Sequence, residues 1–145
     1  MKIAIGSDHA GYQLKSLISS YLKNHQVQDY GTYSMESVDY PDYASKVANA
    51  VINGDAELGI LICYTGVGMS IAANKFRGIR AALIGSVENA ILTKEHNDAN
   101  VLCLSSKDIS IDLAQKIVDA FLTTSFLGER HARRVDKICR LERNL

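Results

Sequence analysis

Three groups of residues in this chain have the types and spacing to do chemistry. The first is Cys63 and the turn behind it, Tyr64-Thr65-Gly66-Val67-Gly68. A glycine-rich turn running into a helix aims several backbone N–H groups at one point, and the helix dipole adds partial positive charge there. A cysteine beside that point is expected to have a stabilised thiolate, with its pKa below the ordinary value of about 8.5. The chemistry on offer is a basic thiolate next to an anion-binding loop. The plainer alternative is a buried free cysteine in a tight turn. The second group is Asp8-His9 with His96. Histidines move protons near neutral pH, but Asp8 also suits a helix cap and each histidine also suits a solvated loop. The third group is Arg130, His131, Arg133 and Arg134 at the start of a helical pattern. Cations at a helix N-terminus oppose its dipole by about 0.3–1 kcal/mol each. Either this is a solvated basic face or a bound anion offsets the repulsion. Arg130 and Arg134 are i, i+4 neighbours on one face, and arginine forks suit phosphate oxygens.

These side chains act together only if the elements between them carry them to one place. A strand is expected over 2–6, then a helix with Leu14, Leu17, Ile18, Tyr21 and Leu22 at helical spacing and Ser7 or Asp8 as its cap. A short strand over 27–31 and a polar loop over 32–39 follow. The next helix starts at Tyr40-Pro41-Asp42-Tyr43 and ends at Asn53-Gly54-Asp55. Leu58, Ile60, Leu61 and Ile62 read as a strand covered on both faces, with Cys63 at its carboxyl end. A helix begins with Met69-Ser70-Ile71 and runs to about Phe76. Then come a strand over 79–85, a helix over 87–94, the polar cluster Glu95-His96-Asn97-Asp98-Ala99-Asn100, a strand over 101–104, a helix over 110–122 and a terminal helix over 129–145. Five β-α repeats predict a parallel sheet between two helix layers. Ligands of such sheets bind beyond the carboxyl ends of the strands. His9 and Cys63 fall in that layer. The last helix, lying beyond a closed α/β unit, is free to dock on another subunit.

Composition narrows the classes. A chain of 145 residues is expected to be a single domain, 1–145. Net charge is zero, which gives no electrostatic case for nucleic acid or a membrane surface. No apolar run approaches the roughly 18 residues of a membrane helix. Three cysteines without a CxxC or HxxxH pattern argue against a disulfide framework and a zinc site, and fit a reducing cytoplasm. Tyr12 stands where a triphosphate loop needs lysine, and Ile71 where the dinucleotide fingerprint needs its third glycine.

Assembled in order, IGSDHAG at 5–11, DYPDYA at 39–44, GILICYTGVGMSIAANKFRGIRA at 59–81, HNDANV at 96–101 and GERHARRV at 128–135 resemble the B-type ribose-5-phosphate isomerases, a family that includes galactose-6-phosphate isomerase subunits. The resemblance runs nearly end to end. It implies a Rossmann-like three-layer α/β/α sandwich with a five-stranded parallel sheet. It implies a homodimer or tetramer with the site between subunits, and the terminal helix packing on a partner. It implies cofactor-independent, metal-free aldose–ketose isomerisation of ribose 5-phosphate and ribulose 5-phosphate through a cis-enediolate, in the non-oxidative pentose phosphate pathway. By this likeness Cys63 is the base moving a proton between C1 and C2, and Tyr64, Thr65, Gly66, Val67 and Gly68 form the anion hole. His96 opens the furanose ring with Asp8 and Thr65 nearby, and Asn97 contacts substrate. His9, Arg130 and Arg134 hold the phosphate, the donor subunit of each arginine being open. The bottom-up chemistry agrees, since isomerisation needs a base α to a carbonyl and donors for the oxyanion. Two positions depart from the pattern. Tyr64 stands where many relatives have glycine, so the loop either avoids positive φ or is strained. Lys107 stands where relatives often have a phosphate-contacting arginine, keeping the charge and losing the fork. The rival readings are isomerisation of a six-carbon sugar phosphate, such as galactose or allose 6-phosphate, and a non-catalytic sugar-phosphate sensor.

Overall fold

The structure, a computed structural model, describes residues 1–142. Its elements alternate strictly: β1 Lys2–Ser7, α1 Tyr12–Tyr21, β2 Gln26–Asp29, α2 Tyr40–Ile52, β3 Leu58–Cys63, α3 Val67–Ala73, β4 Ala81–Leu83, α4 Val87–Asn97, β5 Val101–Ser105, α5 Ile111–Thr123 and α6 Arg130–Leu141. The five strands form one sheet in the order β2-β1-β3-β5-β4, with every pairing parallel. The chain is thus a Rossmann-like α/β sandwich.

The period-2 alternation of a strand splits the apolar residues of β3 between two layers. Ile60 and Ile62 join Ile3, Ile5, Leu102 and Leu104 under α1, α4 and α5, whose contributions include Leu14, Ile18, Ala90, Ile117, Val118 and Phe121. Leu61 and Cys63 join Ala4 and Cys103 under α2 and α3, which contribute Ala44, Val47, Ala48, Met69 and Ala73. A strand buried on both faces is an uninterrupted apolar run, and every residue of β3 is buried. Ser7 lies opposite Ile62 in the register, and Cys63 opposite Ser105. The carboxyl ends of β1, β3 and β5 therefore form one rim, and the chain reverses its strand order between β1 and β3, where such sheets bind ligands.

Several boundaries differ from the sequence expectation for identifiable reasons. Neither Ser7 nor Asp8 caps α1; the N-cap is Gly11, and Asp8 Oδ1 accepts its N–H at 3.1 Å, one turn earlier. The helix waits because the chain must first cross the end of β3. A Cβ on Gly11 would lie 2.4 Å from the Ile62 carbonyl oxygen. β2 stops at Asp29, whose carboxylate turns back to take the Gly31 N–H at 2.8 Å and to pair with the buried Lys15 Nζ at 2.7 Å. β4 is only three residues long. It is an edge strand, and Asn74 occupies its outer side, accepting from Ala81 N–H at 2.8 Å and donating to its carbonyl at 2.9 Å. α3 starts two residues early, at Val67, and ends at Ala73. α4 runs three residues further than expected, through Asn97. Its last turn holds Lys94 and His96, which complement the carboxyl end of the dipole, and Asp98 at φ 47° closes it. α6 starts at Arg130, and the expected extension to 145 lies beyond the described residues. No helix among the described residues is long and apolar enough to cross a membrane.

Candidate active site

The carboxyl edge of the sheet collects the first group of residues. The Asp8 N–H donates to the Ile62 carbonyl at 3.3 Å, Ser106 N–H to Cys63 O at 3.0 Å and Lys107 N–H to Tyr64 O at 2.9 Å. The loops after β1, β3 and β5 are thus laced together around Cys63. The Cys63 side chain is 5 % exposed and points into the layer under α2 and α3. Gly66 caps α3 at φ 77°, in the left-handed region that favours glycine. A Cβ there would also lie 2.4 Å from Leu83 Cδ1 and 3.0 Å from the Leu104 backbone. The first turn of α3 leaves N–H groups of Gly68 and Met69 with no partner inside the helix. The Tyr40 ring, at the start of α2, covers Gly68 so closely that a Cβ would sit 2.6 Å from it. Thr65 Oγ1 accepts the Val67 N–H at 3.3 Å, which leaves its hydroxyl proton free to donate. Tyr64 is exposed and does not take positive φ; among the described non-glycine residues only Asp98 and Glu129 do. The loop therefore avoids the strained alternative. A concavity of about 490 Å³ opens beside Tyr64 and Ser106, walled by Gln13, Leu14, Leu17 and Ile111 of α1 and the α5 start.

Two polar side chains on this rim are already engaged. His9 Nδ1 accepts the Val38 N–H at 3.2 Å. A neutral imidazole that accepts at Nδ1 carries its proton on Nε2, so His9 presents a donor. Lys107 pairs with its neighbour Asp108 at 3.0 Å. That hydrogen bond holds the Lys107 ammonium above its ordinary range and the Asp108 carboxyl below its own, with Ser105 also lowering the latter. The pair is exposed, which makes it an easily exchanged contact. Among the described residues no three His, Cys, Asp or Glu side chains gather as a metal site.

The amino edge of the sheet collects the second group. His96 and Asn97 lie in the last turn of α4 rather than in a loop. The turn after them is fastened from several sides. Arg80 Nε donates to the carbonyls of Asn97 at 3.2 Å and Asp98 at 3.0 Å, and its guanidinium pairs with the Asp98 carboxylate at 3.3 Å. Lys94, itself buried, donates from Nζ to Ala99 O at 3.0 Å and lies over the Phe121 ring. Burial pulls the Lys94 pKa down, with Asp98 opposing. The start of α6 comes to the same corner. The His131 ring stacks on His96 with centroids 4.3 Å apart and planes 10° apart. Arg130 and Arg134 are exposed beside it and make no ion pair among the described residues. A cavity of about 380 Å³ between α6, α4 and β4 borders Asn97 and Arg80.

One chain therefore does not bring all the expected site residues together. Asp8, His9, Cys63, Tyr64 to Gly68 and Lys107 share the carboxyl edge. His96, Asn97, Arg130 and Arg134 share the amino edge. The two sets are separated by the length of β5, about 15 Å at about 3.3 Å per residue. Sequence reasoning missed three supports: Tyr40 over the glycine loop, Arg80 behind the His96 turn, and His131 against His96. DYPDYA and GERHARRV contained two of them, but nothing in their spacing says what a ring rests on.

A parallel sandwich whose central strand ends on a cysteine and runs through a glycine turn into a helix belongs to the class that binds small ligands at the strand ends. The chain belongs to the ribose/galactose isomerase family, whose model matches residues 3–138. It is 50 % identical over 143 residues to ribose-5-phosphate isomerase B of Escherichia coli (strain K12), covering 97 % of this chain and 96 % of that one. The structure of Clostridium thermocellum ribose-5-phosphate isomerase B superposes with a TM-score of 0.98 at 52 % identity, covering 99 % of both chains. That of Mycoplasma genitalium ribose-5-phosphate isomerase B with bound ribulose-5-phosphate gives a TM-score of 0.94 at 49 % identity, covering 99 % of this chain and 97 % of that one.

Proposed function

We infer that this protein interconverts ribose 5-phosphate and ribulose 5-phosphate, and that Cys63 is the base. The observation that carries the assignment is Cys63 at the carboxyl end of β3, followed at once by the Gly66 turn and the first turn of α3, where the Gly68 and Met69 amides have no acceptor inside the helix. The C1–O4 bond of the furanose breaks to give the aldehyde, the ring oxygen taking a proton from His96 while the C1 hydroxyl gives its own to water. The Cys63 thiolate takes the proton from C2, the C2–H electron pair forms the C1=C2 bond, and O1 becomes the oxyanion of a cis-enediolate. The amides of residues 64–68 receive that charge as it develops. The thiol then returns its proton to C1 as the O2 proton passes to O1, leaving a C1 hydroxyl and a ketone at C2. Asp8 and Thr65 flank the sugar, Asn97 contacts it, and the phosphate is held by His9 Nε2–H, Lys107, Arg130 and Arg134. A fixed phosphate lets remote binding energy orient the reacting carbons.

The division of these residues between two sheet edges supports a shared site. In this reading the carboxyl edge of one copy faces the amino edge of another, within a homodimer or a tetramer, and each chain acts as a single isomerase domain over 1–145. The exposed Val67 and Ile71 of α3 and Tyr64 beside Cys63 give the carboxyl edge an apolar face for that contact.

Replacing Cys63 by alanine is expected to lower turnover by roughly 10²–10⁴-fold, the usual share of a positioned base, and to abolish solvent deuterium uptake at C2 of ribose 5-phosphate. Inorganic phosphate should still bind. Full turnover in that variant would remove Cys63 from the role. A panel of five- and six-carbon sugar phosphates fixes the substrate: faster turnover of galactose or allose 6-phosphate would move the assignment, and binding without any deuterium uptake would make the protein a sensor.

A further inference from the structure

We infer that His131 is a positioning residue for His96, its ring acting as a flat buttress that sets the plane in which His96 meets the sugar ring oxygen. This rests on the isomerase reading above and assigns a residue that reading leaves idle. His131 sits in the first turn of α6 and is 6 % exposed. Its ring lies 4.3 Å from that of His96 and 10° from parallel. Its Nε2 is buried and has no hydrogen-bond partner among the described residues. The contact that His131 makes with His96 is therefore through the flat face of its ring. Imidazole is the smallest side chain with such a face.

The rest of the corner fits a rigid seat. Asp98 in the left-handed conformation ends α4 two residues after His96, and Arg80 and Lys94 pin the carbonyls of Asn97, Asp98 and Ala99. The backbone under His96 is fixed, yet its ring would still turn about its side-chain bonds; the stack removes that freedom. The link of the α6 approach to α4 is short. Leu127 N–H donates to Glu95 O at 3.2 Å, one residue before His96. Because Arg130 and Arg134 flank His131 on the same turn, the docking that makes the stack also carries both guanidiniums to the side of His96. Burial first, then His96, Arg130 and Arg134 beside it, hold the His131 pKa below its ordinary value, with Glu129 opposing, which favours the neutral ring.

Two variants and two readouts test this. His131→Phe keeps a flat neutral ring and drops both nitrogens; His131→Leu fills the space and has no flat face. The first readout is turnover of ribose 5-phosphate, which must open. The second is deuterium exchange at C1 of ribulose 5-phosphate, whose phosphorylated C5 oxygen keeps it open-chain. The Leu variant is expected to lose up to roughly 100-fold in the first, as small misplacements of a reacting group do, and less than about threefold in the second. The Phe variant should restore the first to within about threefold of the parent. Leu and Phe behaving alike, or Leu lowering both readouts in step, would overturn the inference: the first result assigns the role to a nitrogen or to nothing, the second to stability alone. Failure of the unsubstituted protein to turn over ribose 5-phosphate would instead defeat the isomerase reading.

Discussion

Cys63 and Cys103 stand on neighbouring strands and in the same apolar layer, yet only Cys63 ends its strand. Cys103 lies mid-strand opposite Leu61 and is fully buried. Burial pushes its thiol pKa well up, and a charge on Cys63 would push it further. The thiolate is the reactive form, so Cys103 should be inert. Iodoacetamide at pH 8, read by peptide mass, is expected to label half-buried Cys139 and Cys63 and to leave Cys103 intact until the chain unfolds. Ribulose 5-phosphate should protect Cys63 alone. Labelling of Cys103 as fast as Cys63 would mean that the glycine turn gives the latter no access. At this scale the sequence was informative where neighbours in the chain are neighbours in space: Cys63 with Tyr64 to Gly68, and Asp8 with His9. It named Lys107 as a phosphate contact but not its pairing with the adjacent Asp108. It was silent on Tyr40 and His131, whose partners lie in other elements.

Helix starts and stops on this fold are set by what the chain must clear, and that explains which boundaries were legible. Strands buried on both faces were plain, because Ile3 to Ile5, Leu58 to Cys63 and Val101 to Leu104 carry no polar side chain within the run. The edge strand β4 and the last turn of α4 were misjudged, because side chains from elsewhere, Asn74 and Arg80, satisfy their backbone groups. Gly11 shows the constraint most sharply. With its Cβ position 2.4 Å from a backbone oxygen of β3, no rotamer relieves the clash. Gly11→Ala is expected to cost at least about 2 kcal/mol, an overpacking penalty with no flexible neighbour to absorb it. The shift should be read as a lower urea midpoint at unchanged slope. A midpoint within error of the parent would mean that α1 can slide off β3. The docking of α6 carries a pH dependence of definite sign. His131 has a folded-state pKa below its ordinary value, through burial and through His96 of α4 and Arg130 and Arg134 of α6, against Glu129. A depressed group stabilises above the unfolded value, about 6.5. That stability is lost as pH falls through the lowered value. Amide exchange in α6 should therefore accelerate between pH 7.5 and 5.5, beyond the change in α5, and His131→Phe should abolish the difference.

Across the whole molecule, the parallel sheet decides at which edge each candidate site residue lies. Every strand points the same way, so each helix returns the chain to the amino edge. A residue that ends a helix, like His96, is therefore delivered to the opposite side from one that ends a strand, like Cys63. The sequence places both beside their strands, and only the shared direction of the strands shows that they lie apart. Two copies related by a two-fold axis would offer each other complementary edges, since such an interface uses the same patch on both partners. This has a consequence that no single-chain site shares. A Cys63→Ala chain retains His96, and a His96→Ala chain retains Cys63. Each homodimer should be nearly dead on ribose 5-phosphate. After mixing, unfolding and refolding, half of the dimers are mixed, and each mixed dimer holds one intact site and one doubly damaged site. Turnover should return to about a quarter of the parent value for a symmetric pair, while a mixture kept folded and unexchanged stays dead. A site held within one chain would recover nothing on refolding. That result would overturn the shared site and place Cys63 and His96 in one chain.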